Sequence, residues 1–173
     1  MDLLSKEQVL VSIESLADSI LKNNHQLSDI AIVGIQQGGV LVADLLLAAI
    51  NRKQKDQAIP FGKLDITFYR DDFRNQVLAP DRMHLPFSIE NKIVILVDDV
   101  LFTGRTIKAA LDALLDYGRP AKVELCVLVD RKEHRQFPIQ ADYIGNSFST
   151  AKTDKVKLVV DEKSNPKVVL ISQ

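Results

Sequence analysis

The stretch "NKIVILVDDVLFTGRTIKAAL", Asn91 to Leu111, runs five apolar residues, Ile93 to Val97, into two adjacent carboxylates, Asp98 and Asp99, and then into Thr103-Gly104-Arg105-Thr106. The apolar run has the length and β-branched content of a buried strand, and the pattern from Thr106 to Tyr117 is helical, stopped by Gly118 with Pro120 beyond. Strand, turn and helix therefore meet at the acids. Two negative charges at the end of a buried strand must be solvated, paired or used.

The same alternation extends both ways. Ser5 and Gln8 have capping-box spacing, and Val9, Ile13, Leu16, Ile20 and Leu21 recur at helical intervals up to about Asn23. "IAIVG" (Ile30–Gly34) predicts a strand closed by glycine. After Gln36-Gln37-Gly38-Gly39 the pattern turns helical through Ala48 and Ile50. "FGKLDITFYR" (Phe61–Arg70) predicts a strand with one better-buried face. The polar, proline-bearing residues 71–91 after it lack periodicity, as in a mobile functional loop. "VELCVLVDR" is a further strand, and "ADYIG", "VKLVV" and "KVVLIS" give three short ones. Strands apolar enough to be buried on both faces, alternating with helices, predict an α/β fold with a mainly parallel sheet. Ligands of such folds sit at the carboxyl ends of the strands, here after Val33, Tyr69 and Val97.

Bulk properties narrow the function. A chain of 173 residues is read as one domain, residues 1–173, able to bury about 70% of its unfolded surface. A hydrophobic fraction of 46%, a charged fraction of 26% and a net charge of −1 fit an ordinary globular protein with no general attraction to polyanions. The longest apolar-rich run, Val40 to Ile50, is broken by Asp44 and too short to cross a bilayer, so no membrane partner is expected. No signal peptide is visible, and one cysteine, Cys126, excludes an intrachain disulfide. The expected compartment is the cytoplasm, with Cys126 a small core residue inside "ELCVLV".

A helix N-terminus offers unpaired N–H groups and partial positive charge, so "TGRT" suits a phosphate. The two acids suit hydroxyl groups or a hydrated Mg²⁺ beside it. Together they predict a sugar phosphate: phosphate in the turn, hydroxyls on the acids. The G-x-x-x-x-G-K-[ST] spacing is absent, and Gly104 stands alone in its turn, which excludes a Walker A loop and a dinucleotide fingerprint.

"VILVDDVLFTGRTIKAAL" resembles the phosphoribosyl pyrophosphate motif of type I phosphoribosyltransferases. More narrowly, "LDITFYRDD", "DALLDYGRPA", "LVDR" and "PIQADYIG", in this order, resemble the pyrimidine-operon attenuation regulators that are also uracil phosphoribosyltransferases. The resemblance spans about Ile30 to Leu158. It implies a parallel central sheet flanked by helices, with a small hood of short strands from about residues 137–173 and N-terminal contributions. It also implies transfer of ribose 5-phosphate from phosphoribosyl pyrophosphate to uracil, giving UMP and pyrophosphate, with Mg²⁺ bound mainly through substrate near Asp98 and Asp99, and a homo-oligomer of two or more chains. By the same resemblance Asp98 and Asp99 hold the ribose hydroxyls, with Val100, Leu101 and Phe102 beside them. Thr103, Gly104, Arg105 and Thr106 hold the 5′-phosphate, and Gln36, Gln37, Gly38 and Gly39 meet the pyrophosphate. Tyr69 and Arg70 would close over the site, Arg70 as the hand for pyrophosphate or else a solvated arginine. Tyr143, Ile144 and Val156 would shape the base pocket.

The chain also departs from that family. The 36–39 turn lacks the family's basic residues. Glu14 and Ser15 stand where RNA-binding regulators carry a Thr-Arg pair, and Gln140 stands where arginine is frequent. "DRKEHRQ" is one residue longer than the family pattern. Basic character survives at Arg131, Lys132, His134, Arg135 and Lys152. Of these, His134, Arg135 and Lys152 either touch RNA or belong to a solvated turn. His25 and His84 have no partner at metal-ligand spacing. Three functions remain open: uracil phosphoribosyltransferase, UMP-sensing RNA-binding attenuator, and purine phosphoribosyltransferase.

Overall fold

A computed structural model describes residues 1–24, 26–67 and 85–172. Tyr69, Arg70, His25, His84 and most of the proline-bearing stretch after Arg70 lie outside the described residues. The elements run β1 (Asp2–Leu4), α1 (Lys6–Asn23), β2 (Ile30–Ile35), α2 (Gly38–Lys53), β3 (Phe61–Leu64), β4 (Ile93–Leu101), α3 (Arg105–Tyr117), β5 (Lys122–Asp130), β6 (Tyr143–Ser147), β7 (Lys155–Val160) and β8 (Pro166–Ile171).

Five strands form a parallel sheet in the order β3-β2-β4-β5-β6, and β1-β8-β7 form a small antiparallel sheet. Strand alternation sends Ile95, Val97, Cys126 and Leu128 to one face, where they pack with Ile13, Leu16 and Ile20 of α1 and Val42 and Leu46 of α2. Val94, Leu96, Leu125 and Val127 face the other way, onto Ile107, Ala110 and Leu114 of α3. Double burial explains the unbroken apolar runs. Cys126 is fully buried, which pushes its thiol up to about 12 and leaves it an inert core residue.

The Ser5 capping box forms as its spacing predicts: Ser5 Oγ accepts the Gln8 N–H at 3.4 Å, and Gln8 Oε1 accepts the Ser5 N–H at 2.9 Å. Four boundaries differ from the sequence expectation, the first being the strand expected over Phe61–Arg70, which stops at Leu64 because its partner β2 ends at Ile35 opposite it. The strand expected at Ile93–Val97 continues to Leu101, because β5 keeps pairing past the acids, with Asp98 opposite Val127 and Val100 opposite Val129. α2 starts inside the Gln36–Gly39 turn rather than after it. The small sheet takes Asp2–Leu4 as a strand, while Tyr143–Ser147 joins the large sheet beside β5. No helix among the described residues is long and apolar enough to cross a membrane.

Candidate active site

β2 pairs with β4 only as far as Gly34 opposite Val97. Beyond that register β2 ends, its chain turns through Gln36 and Gln37, and the β2-facing edge of Asp98–Leu101 is left open. A cleft of about 300 Å³ forms there, between Gln36, Gln37 and Gly38 on one side and Asp98, Asp99 and Thr106 on the other. The Gln36–Gln37 peptide is cis. Gly38 and Gly39 open α2 hard against β4: a Cβ on Gly38 would lie 2.3 Å from Asp99 Oδ2, and one on Gly39 would lie 2.4 Å from the Val97 carbonyl oxygen. Only glycine lets the helix N-terminus approach the acids this closely.

Asp98 is buried and Asp99 half-buried. Asp98 Oδ1 accepts the Asp99 N–H at 2.9 Å, and Asp99 Oδ1 accepts the Val100 N–H at 2.9 Å. A third carboxylate, Asp65, lines the same cleft just past β3. Its Oδ1 accepts the Thr67 N–H at 3.0 Å and the Thr67 hydroxyl at 2.6 Å.

On the far side of Asp98, residues Val100 to Ile107 wrap a cavity of about 140 Å³. Gly104 caps α3 in the left-handed region, φ 90°, so glycine is needed at that point of the turn. The Thr103 carbonyl accepts the N–H groups of Gln136 at 2.8 Å and Phe137 at 3.2 Å, anchoring the turn to the segment after β5. Arg105 lies along that segment: its Nε donates to Gln136 Oε1 at 2.8 Å, and its guanidinium sits 5.5 Å from the Phe137 ring centroid. The cradle is therefore backbone N–H groups at the start of α3 with the Thr103 and Thr106 hydroxyls, the arrangement that suits a phosphate.

Half-buried Phe102 is flanked by three of the basic residues named in the sequence, Arg131, His134 and Arg135. Arg131 is 2% exposed, with its guanidinium 3.8 Å from the Phe102 ring centroid, Nε donating to Thr150 Oγ1 at 2.7 Å and Nη2 to the Ala151 carbonyl at 2.9 Å. Burial pulls its pKa below the ordinary arginine value. Arg135 pairs with buried Asp130 at 2.6 Å and donates to the Phe102 carbonyl. His134 meets the Phe102 ring edge-on at 5.5 Å and has Nε2 2.9 Å from the Thr150 carbonyl.

A phosphoribosyl transferase domain signature matches residues 2–163. The chain is 42% identical over 160 residues to "Bifunctional protein PyrR" of Geobacter sulfurreducens, covering 91% of this chain and 89% of the relative. It is 50% identical over 148 residues to the protein of the same name in Ligilactobacillus salivarius, covering 83% and 82%. The chain belongs to the PyrR family of phosphoribosyltransferases. Among solved structures, a hypoxanthine phosphoribosyltransferase from Trypanosoma cruzi superposes with a TM-score of 0.75 at 18% identity, covering 98% of this chain and 94% of that one. A Staphylococcus aureus hypoxanthine phosphoribosyltransferase gives 0.70 at 24% identity, covering 87% and 79%. At those identities the likeness is one of fold.

Against that PyrR frame, the structure brings Asp98, Asp99, Val100, Thr106, Gln36, Gln37 and Gly38 to one cleft, with Leu101 to Arg105 continuing into the next and Gly39 packed behind. Tyr143 is not with them. It starts β6 at the amino-terminal half of the sheet, where its hydroxyl donates to Glu124 at 2.6 Å and accepts from Asn24 at 3.2 Å. Burial and the Glu124 carboxylate push its phenol up to about 12. Burial opposes the charge on Glu124, but Lys122 at 2.7 Å, Tyr143 and Asn24 outweigh it and hold that carboxyl below its usual range. Ile144 packs on the α3 side of the core, and Val156 is buried in the α1–α2 core beneath the small sheet. Arg131 and Arg135 are folded inward, so among the basic residues near "DRKEHRQ" Lys132 and Lys152 are the exposed ones. Glu14 on α1 is tied to Arg52 and, at 2.9 Å, to Lys53 at the end of α2. The sequence reading passed over Asp65 and Thr67, although "LDIT" ends a strand in an acid as "VDD" does.

Proposed function

We propose that the protein is a uracil phosphoribosyltransferase that moves ribose 5-phosphate from phosphoribosyl pyrophosphate to N1 of uracil. The observation that carries this is the open edge of β4, where two carboxylates stand between a helix-capped phosphate turn and the glycine-opened N-terminus of α2. As the bond from ribose C1 to pyrophosphate breaks and that to uracil N1 forms, positive charge builds on the sugar and negative charge on the leaving group. Asp98 and Asp99 hold the ribose hydroxyls and face the developing cation. The α3 N-terminus fixes the 5′-phosphate, and the first N–H groups of α2 face the departing anion. The donor set beside the cleft is hard oxygen, which suits Mg²⁺, yet among the described residues no group of three or more His, Cys, Asp or Glu can hold a metal. Mg²⁺ would be held mainly through the substrate's phosphates near Asp98 and Asp99, and would offset their charge.

Phe102, held between Arg131 and His134, has no titratable group with which to exchange a proton with a purine ring. In an assay of purified protein with phosphoribosyl pyrophosphate, Mg²⁺ and a panel of bases, uracil is expected to be turned over in preference to hypoxanthine and guanine. Turnover of a purine without uracil would reassign the enzyme to purine salvage.

The relatives' name, bifunctional, keeps the attenuator as a second reading, with leader RNA as partner and UMP as signal. RNA binding is expected to be weak, because each phosphate neutralised adds about −0.7 to −0.9 to the log–log salt slope and, among the basic residues near "DRKEHRQ", only Lys132 and Lys152 are exposed. Arg131 and Arg135 are spent on Thr150, Ala151 and Asp130, and Glu14 presents the opposite charge. Filter binding with the organism's own pyrimidine leader at several salt concentrations measures this, and UMP-enhanced nanomolar affinity near physiological salt would make regulation a joint function. The same family reading puts the protein in the cytoplasm as a homo-oligomer.

A further inference from the structure

The described residues lining the 300 Å³ cleft include three carboxylates, Asp65, Asp98 and Asp99, and no lysine, arginine or histidine. A pyrophosphoryl group entering there meets like charge on every acidic side chain. The 36–39 turn carries no cation: Gln36 and Gln37 are neutral, and in this conformation a side chain at 38 strikes the Asp99 carboxylate and one at 39 strikes the β4 backbone. Beside the α2 N–H groups and a substrate-borne Mg²⁺, and with Arg70 outside the described residues, a cationic side chain among the described residues would come from another element.

We infer that Lys157 on β7 is that cation, a substrate-binding residue for the pyrophosphoryl group of the donor; the inference rests on the phosphoribosyltransferase reading above. A neighbouring cleft of about 510 Å³ shares Gln37, Gly38 and Asp99 with the first, and Lys157 and Leu158 form its other side. β7 is packed onto β4 and α2, with Val156 buried and Leu158 half-buried in the α1–α2 core, so the strand is fixed in place over the cleft. Lys157 itself is exposed and makes no ion pair or side-chain hydrogen bond among the described residues, which leaves its ammonium uncommitted on a flexible stem. Arg105 lines the separate 140 Å³ cavity and is held along Gln136 and Phe137.

The test compares the wild type with K157M, which keeps the stem and removes the charge, and K157R, which keeps the charge. Calorimetric titration with pyrophosphate and Mg²⁺ is expected to show about a tenfold weaker Kd for K157M, as for loss of one charge-assisted contact. KM for phosphoribosyl pyrophosphate should rise by a similar factor, and K157R should recover most of the loss. UMP, which has no pyrophosphoryl group, should bind K157M as it binds the wild type. An unchanged pyrophosphate Kd in K157M overturns the assignment, and so does an equal loss for UMP, which would give Lys157 a role in the fold. A wild type that turns over no base refutes the enzymatic reading separately, and the pyrophosphate titration still decides Lys157.

Discussion

Asp98→Asn and Asp99→Asn are each expected to lower kcat/KM for uracil and phosphoribosyl pyrophosphate by about tenfold or more, equivalent to at least ~1.4 kcal/mol of transition-state stabilisation, with the fold unchanged. The side-chain shape and the acceptor oxygen survive the change, so the Asp99 and Val100 N–H groups keep their partners at 2.9 Å. What disappears is the negative charge, and it disappears from a buried or half-buried position beside the proposed ribose site, where screening by water is reduced. Steady-state kinetics with thermal unfolding on the same samples separates the two effects. Full activity in both variants would remove the acids from their proposed roles.

The second large effect belongs to the two glycines at the start of α2, which should fail in different ways. Alanine at 39 drives a methyl group to within 2.4 Å of the Val97 carbonyl oxygen and 2.9 Å of the Asp98 Cα, both main chain of the central strand. Backbone in mid-sheet has little room to yield, so Gly39→Ala should cost about 1–3 kcal/mol of stability as an overpacking strain. That lowers Tm by roughly 2–12 °C for a chain of this size. Alanine at 38 meets only the Asp99 carboxyl group, the end of a side chain that can rotate. Gly38→Ala should therefore leave Tm within about 2 °C, alanine being the better helix former, while displacing Asp99 and reducing turnover toward that of Asp99→Asn. Calorimetry and kinetics on both variants check the contrast, and equal Tm losses would contradict it.

The parallel sheet, the capping box of α1 and the junction of β4 with α3 were legible because each is written in neighbouring residues: an apolar run, a Ser-x-x-Gln spacing, two acids before Thr-Gly. What stayed hidden depends on partners distant in the chain. Asp2–Leu4 is too short to show a strand period and is one only because β8 returns beside it. The extension of β4 through Asp98 and Asp99 is masked by their charge and enforced by β5. Arg131 looks like surface charge in "LVDRKEHR" until Thr150 and Ala151 fold over to receive it. Tyr143 was drawn toward the base pocket by its neighbours in sequence, whereas Glu124 and Asn24 hold its hydroxyl at the other end of the sheet. Lys157 gave no local signal, being one lysine in an alternating run, and Asp65 gave only that of a single acid after a strand.

The anchoring of the phosphate turn by Gln136, Phe137 and the Arg131 N–H, which reaches the Leu101 carbonyl at 2.9 Å, bears on when the protein first becomes competent to bind. During synthesis the complete motif leaves the ribosome well before β5 and the segment after it, so a nascent chain ending at α3 carries the letters of the site without its shape. Parallel pairing of β4 with β5 requires the whole crossover, and such non-local closure is slow compared with helix formation. Affinity for the sugar phosphate should consequently appear late and abruptly in chains of increasing length, once residue 137 has been made, and ligand binding then serves as a readout of finished folding.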